Sequence, residues 1–192
     1  MPTPVFPTAY KVEVKGTLFG IPLMNVWYCQ GPDPFDVGVA ANIAAEFQTG
    51  YGAILACLSQ DVSYTEIEVS NLGGVATGSF SLFITPPDVG EIVQDSLPGS
   101  VAFCVSLRSA LAGRRFRGRK YFSGLGEGDV TANELLSTRA ADLVAAVEDL
   151  RAGLATLGNP MSIFSPTGLT LVPVINVTAV DLRVDSQRGR LR

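Results

Sequence analysis

The stretch LMNVWYCQGPDPFDVGVAANIAAEFQTGYGAILACL, residues 23–58, sets the class of the fold. Its first seven residues, Leu23 to Cys29, are rich in large apolar side chains and read as a strand. Gly31-Pro32-Asp33-Pro34 then breaks the strand and prepares a helix. Asp33 is expected as the N-cap and Pro34 at the first helical position, with Asp36 in the first turn where the helix dipole favours an acid. Beyond it, Ala40, Ile43, Ala44, Phe47, Tyr51, Ile54, Leu55 and Leu58 share one helical face. Gly50 and Gly52 weaken that helix and are expected where another element packs close. A strand leading directly into a long amphipathic helix points to sheet and helix packed on one core.

On the N-terminal side, Pro2, Pro4 and Pro7 favour an extended arm over residues 1–9. Tyr10-Lys-Val-Glu-Val-Lys15 alternates apolar and polar, the pattern of a half-buried strand. On the C-terminal side, Val62 to Val69 is a strand with Glu66 and Glu68 on one face. Residues 71–99 are rich in Gly and Pro and read as a linker or as an arm laid on a neighbouring subunit, with a short strand from Phe80 to Ile84. The pattern then restarts. Val101 to Leu107 is a strand, a basic turn follows, and a further strand lies near residues 120–123. Thr131 and Glu134 form a capping box for a second helix with the stripe Leu136, Ala140, Leu143, Val147, Leu150, Leu154 and Leu157. Gly158-Asn159-Pro160 ends it. Met161 to Phe164 is a short strand, and Val172 to Val184 a long one with Val180, Leu182 and Val184 on one face.

Each half thus reads strand, strand, helix, strand. The expectation is one α+β domain of two pseudo-duplicated units, 10–70 and 100–192, with helices packed on an antiparallel or mixed sheet. Residue identity between the halves is negligible, so the repeat concerns architecture.

Composition narrows the function classes. Of 192 residues, 47% are hydrophobic and 17% charged, too apolar a mixture for a disordered chain. No apolar run reaches the length of a membrane span, so no membrane partner is expected. The opening MPTPVFPTAY lacks a basic residue followed by an apolar run. No secretory signal is expected, and Asn176-Val177-Thr178 is not read as a glycosylation acceptor. There is no histidine and there are three cysteines, which removes the commonest general base and zinc ligand and any even disulfide framework. Cys29, Cys57 and Cys104 lie in apolar elements and read as small core residues. Gly124-x-Gly126-x-Gly128 lies between a strand and a helix, as a dinucleotide fingerprint would, but Asp129 stands where the third glycine belongs. The chain is therefore read as non-enzymatic, with no cofactor and no metal site.

Charge is unevenly spread. Residues 1–107 hold two basic residues against ten acids, a net of −8, and residues 108–192 hold twelve against eight, a net of +4. The densest run is Gly113-Arg114-Arg115-Phe116-Arg117-Gly118-Arg119-Lys120-Tyr121, preceded by Arg108. Arginine forks suit phosphate, and Phe116 and Tyr121 could stack on bases, a combination suited to single-stranded nucleic acid. The same run could cross a subunit boundary to meet the acidic half of another copy. The second reading is favoured, because the whole chain is acidic and its −8 half is present in every copy.

The run Gly113-Arg114-x-x-Arg117-Gly118-Arg119-x-Tyr121, behind the strand Val101 to Arg108, resembles a recurring pattern in small proteins of viral and phage metagenomes. So does the C-terminal Val180-Asp181-x-x-Val184-Asp185-Ser186-Gln187-Arg188. With the early aromatic strand Asn25-Val26-Trp27-Tyr28, the resemblance spans about residues 20–190. That family is one of virion structural components, capsid proteins. Its relatives carry a longer arginine run and a Pro-Gly ending where this chain has Arg188-Gly-Arg-Leu-Arg192. The resemblance implies a coat protein located in the virion that assembles with copies of itself into a shell, with viral nucleic acid as a further partner. Two alternatives stand beside it: a sequence-nonspecific nucleic-acid-binding module, and a tail or filament subunit. The residues expected at a subunit interface or on phosphate are Arg108, Arg114, Arg115, Arg117, Arg119, Lys120, Tyr121, Arg188 and Arg190.

Overall fold

The computed structural model describes residues 8–18, 21–58, 62–84, 101–111, 114–124, 140–163, 175–176 and 179–183. In chain order the elements are β1 (Thr8–Leu18), β2 (Ile21–Gly31), α1 (Val37–Leu58), β3 (Val62–Leu72), β4 (Ser79–Phe83), β5 (Val101–Leu111), β6 (Arg114–Gly124), α2 (Ala140–Thr156), β7 (Met161–Ile163), β8 (Ile175–Asn176) and β9 (Ala179–Arg183). Two sheets form, one in the order β4-β3-β1-β2-β7-β8 and one in the order β6-β5-β9. All the described strand pairs are antiparallel. The fold is α+β.

The two halves share one connectivity. In the first, the β1–β2 hairpin leads into α1, and β3 returns to pair with β1. In the second, the β5–β6 hairpin leads into α2, and β9 returns to pair with β5. Each is a β-α-β crossover split by the first strand of its own hairpin. Between α2 and β9 the second half inserts β7 and β8. β7 pairs with β2, setting Tyr28 against Ser162 and Cys29 against Met161. A strand of the second half thereby widens the sheet of the first.

The alternation in β1 is realised as expected. Tyr10, Val12 and Val14 are buried, while Lys11, Glu13 and Lys15 lie on the opposite, outer face. α1 covers the inner face with Ala40, Ile43, Ala44, Phe47, Tyr51 and Ile54. Trp27 sits at the centre of this core. Its indole N–H donates to the Tyr51 hydroxyl at 2.6 Å, and Phe47 meets it edge-on at 5.9 Å between ring centroids. α2 contributes Leu143, Ala146, Val147, Leu150 and Leu154, all buried. The two helices pack together where Gly50 lies against Leu150: a methyl group at Gly50 would stand 2.8 Å from Leu150 Cδ1.

Several boundaries differ from the sequence expectation. α1 starts at Val37, and its cap is Asp36, whose carboxylate accepts the Val39 N–H at 3.0 Å. Asp33 instead accepts the N–H of Val75 at 2.8 Å, a bond between the approach to the helix and the β3–β4 connection. Gly52 is exposed, so only Gly50 marks a close helix contact. Residues 71–84 are not a linker. They complete β3, a turn and β4, and Asn71 organises the turn by donating to Gly73 and Ala76 carbonyls and accepting the Gly78 N–H. The expected strand from Val172 to Val184 is divided: β8 pairs with β7 in the larger sheet and β9 with β5 in the smaller. Leu157 lies past the end of α2 and is exposed. There Gly158, at φ +78°, and Asn159 donate to the Ala155 and Leu154 carbonyls, which closes the helix in a Schellman motif. The proline arm up to residue 7, residues 85–99, the Thr131–Glu134 capping box and Leu136 lie outside the described residues.

Candidate anion-binding face

The arginine run is a strand. Leu111 pairs with Arg114, and the ladder continues through Arg108 opposite Arg117 to Val101 opposite Gly124. Leu111 and Arg114, the last pair of the ladder, are separated in the sequence by two residues, the spacing of a tight hairpin. Because successive strand residues face opposite ways, the run divides by parity. Arg115, Arg117 and Arg119 are exposed on the outward face, and Arg108 is exposed beside them on β5. Val105 and Leu107 point the other way and are buried.

Lys120 falls on the inward face. Its amine donates to the Val26 carbonyl of β2 and stands 4.9 Å from the centre of the Trp27 ring. Burial lowers its pKa from 10.5 to about 8, because water no longer solvates the ammonium. Lys120 therefore joins the two halves instead of extending the outward cationic row, a correction to the expectation that it meets phosphate or a neighbouring subunit. The strand ladder shows the division: Lys120 shares parity with Gly118 and opposes Val105, not Arg117.

Arg114 lies in β6 opposite Leu111, and Tyr121 lies opposite Cys104. The side chains of Arg114, Phe116 and Tyr121 are outside the described residues, as are Arg188 and Arg190 entirely. The ladder sets Ser106 between Arg119 and Asp181, and Cys104 between Tyr121 and Arg183. The structure thus brings together four of the nine expected residues: Arg108, Arg115, Arg117 and Arg119.

The outer face of the larger sheet carries the acids of the first half. Lys15 bonds Glu68 at 2.5 Å and Glu66 at 3.3 Å, and Lys11 pairs with Glu13 at 2.8 Å. The Ser81 hydroxyl donates to Glu66 at 2.7 Å and, together with Lys15, holds its carboxyl below the usual range, so that it stays ionised. The two acids raise the Lys15 pKa in turn, Glu68 most. These carboxylates have partners within their own chain.

Cys29 is buried, and burial pushes its thiol up to about 12, which keeps it protonated and unreactive. Among the described residues no group of three or more His, Cys, Asp or Glu side chains could hold a metal ion. No helix among them is long and apolar enough to cross a membrane. Comparison of the chain with protein-family models, with curated proteins and with solved structures gives no match.

Proposed function

We propose that the chain is a viral coat protein, a non-enzymatic subunit that assembles with copies of itself into the shell of a virion. The observation that supports this reading is the outer face of the larger sheet, which no helix among the described residues covers. One cross-strand row there runs Met24, Lys15, Glu66, Phe83, with the ion pair in the middle and an apolar side chain at each end. Met24 is 59% exposed and Phe83 77%. Phe83 ends β4, the edge strand of that sheet among the described residues, and an edge strand can pair with another chain. An apolar rim around a satisfied ion pair, next to an edge strand, is suited to contact with a second subunit. The resemblance to virion structural proteins points the same way.

The test is size-exclusion chromatography and negative-stain microscopy of the recombinant chain. Closed particles are expected. Tubes would make it a tail or filament subunit, and a monomer at every concentration and salt would end the assembly reading. Phe83→Glu should abolish particles while leaving the melting temperature of the subunit within a few degrees of wild type, since an exposed side chain contributes within about 0.5 kcal/mol to the fold. The exposed arginines favour a second reading, a sequence-nonspecific nucleic-acid-binding module, which a monomer that binds oligonucleotide would support.

A further inference from the structure

We propose that the outward face of the β5–β6 hairpin, formed by Arg108, Arg115, Arg117 and Arg119, binds the phosphates of one nucleic-acid strand. This goes beyond the assembly reading and stands on a different surface, so shells could close without it.

Four guanidinium groups share this face, and all four side chains are exposed. Arg108 lies directly across from Arg117. Along β6 the arginines recur at every second residue, which sets them roughly 6.6 Å apart. Arg115, Arg117 and Arg119 thus form a straight row, with spacing comparable to that of successive phosphates along one extended strand. Arg108 stands beside that row, roughly 5 Å away at the backbone. Such a footprint is one strand wide. It follows a single sugar–phosphate backbone and does not span the groove of a duplex.

The strand under the row is anchored to the core. Val105 and Leu107 are buried beneath it, and the Lys120 amine is tied to the Val26 carbonyl and the Trp27 ring. Guanidinium groups exposed on such a surface can donate paired hydrogen bonds to a phosphate. Contacts of this kind carry no base information, so binding would be sequence-independent.

A second copy is the less favourable occupant. Glu13, Glu66 and Glu68, the outward acids of the larger sheet, are already bonded to Lys11 and Lys15, and Glu66 also to Ser81. An arginine from a neighbour would have to displace those partners. A nucleic-acid backbone brings unpaired anions.

The experiment is fluorescence anisotropy of the full chain with a labelled, unstructured oligonucleotide of about 20 nucleotides, and with a duplex of the same length. Salt is varied from about 50 to 200 mM. Single-strand binding is expected with a log–log salt slope of about −3, since each phosphate contact contributes about 0.7. In the variant Arg115→Gln/Arg117→Gln/Arg119→Gln the slope should shrink by about 2. A circular-dichroism melt of that variant no lower than wild type would show an intact fold, and microscopy of the same samples reads assembly separately. An unchanged slope in the variant overturns the proposal, as does the absence of binding by chains that assemble normally. Tighter binding to the duplex overturns the single-strand assignment. Loss of particles by the variant without nucleic acid present would assign the face to subunit contact instead.

Discussion

The Lys120 amine links a residue-scale contact to a measurable pH dependence. Its pKa is about 8 in the folded chain and 10.5 in the unfolded one. Below pH 8 both states hold the proton, and the burial of the charge weighs fully on the fold. Between 8 and 10.5 the unfolded state binds more protons, so stability rises with pH. Cys29 acts in the opposite sense. Its thiol titrates at 9.0 when unfolded and near 12 when folded, so above pH 9 the unfolded chain loses protons first and stability falls. Burial raises the Tyr51 and Tyr10 phenols too, which extends the fall above pH 10. Between pH 8 and 9 the Lys120 effect is the larger of the two. Urea unfolding of wild type should show stability rising by roughly 0.5–1 kcal/mol across that unit. The rise should vanish in Lys120→Met, and its survival there would mean that the amine is not buried over Trp27.

At the scale of the element, α1 carries two glycines with opposite meanings. Both cost helix propensity, about 1 kcal/mol each relative to Ala. Gly52 is exposed, so Gly52→Ala should recover that amount and raise the melting temperature by roughly 2–4 °C. Gly50 faces α2. A methyl group there would stand 2.8 to 3.2 Å from three atoms of Leu150, which is 1% exposed and has nowhere to retreat. Overpacking costs about 1–3 kcal/mol, which outweighs the propensity gain. Gly50→Ala should therefore lower the melting temperature, and a rise would show that the helices do not meet there. β6 follows the same logic of faces: Arg115, Arg117 and Arg119 meet solvent while Lys120 reaches Val26 and Trp27, so the pleat splits these cations into a surface and an anchor.

At the scale of the whole molecule, the two halves have one connectivity but share one core. β7 of the second half pairs with β2 of the first, the Asn159 side chain donates to the Gln30 carbonyl at 3.0 Å, and Gln30 N–H donates to Pro160. Val105 and Leu107 belong to the same buried cluster as Trp27 and Phe47. Neither half closes its apolar surface without the other. Unfolding should be a single transition, with the fluorescence of Trp27, the sole tryptophan, coinciding with far-ultraviolet circular dichroism. Fragments 1–99 and 100–192 should not fold when expressed apart. Two separate transitions, or a folded fragment, would divide the chain into independent units.

What could be read from the sequence was what repeats locally. The two-residue period of Tyr10 to Lys15, the 3.6-residue stripes ending at Ile54 and Leu154, and the Gly158 stop all arise from side-chain directions along a single element. Those periods were enough for the α+β class and for the repeated strand-strand-helix-strand order. Tertiary structure decided whatever depends on partners distant in the chain. Asp36 and not Asp33 caps α1, because Asp33 is engaged by Val75. The apolar run from Val172 to Val184 is divided between two sheets because β7 and β5 offer edges in different places, and β propensity alone cannot choose between them. The arginine row looked like a turn because cations at both parities hide the alternation. Only pairing with β5 and the approach of Trp27 separate the outward Arg115, Arg117 and Arg119 from the inward Lys120. Side-chain period is a property of one strand or helix, whereas burial is a property of what packs against it.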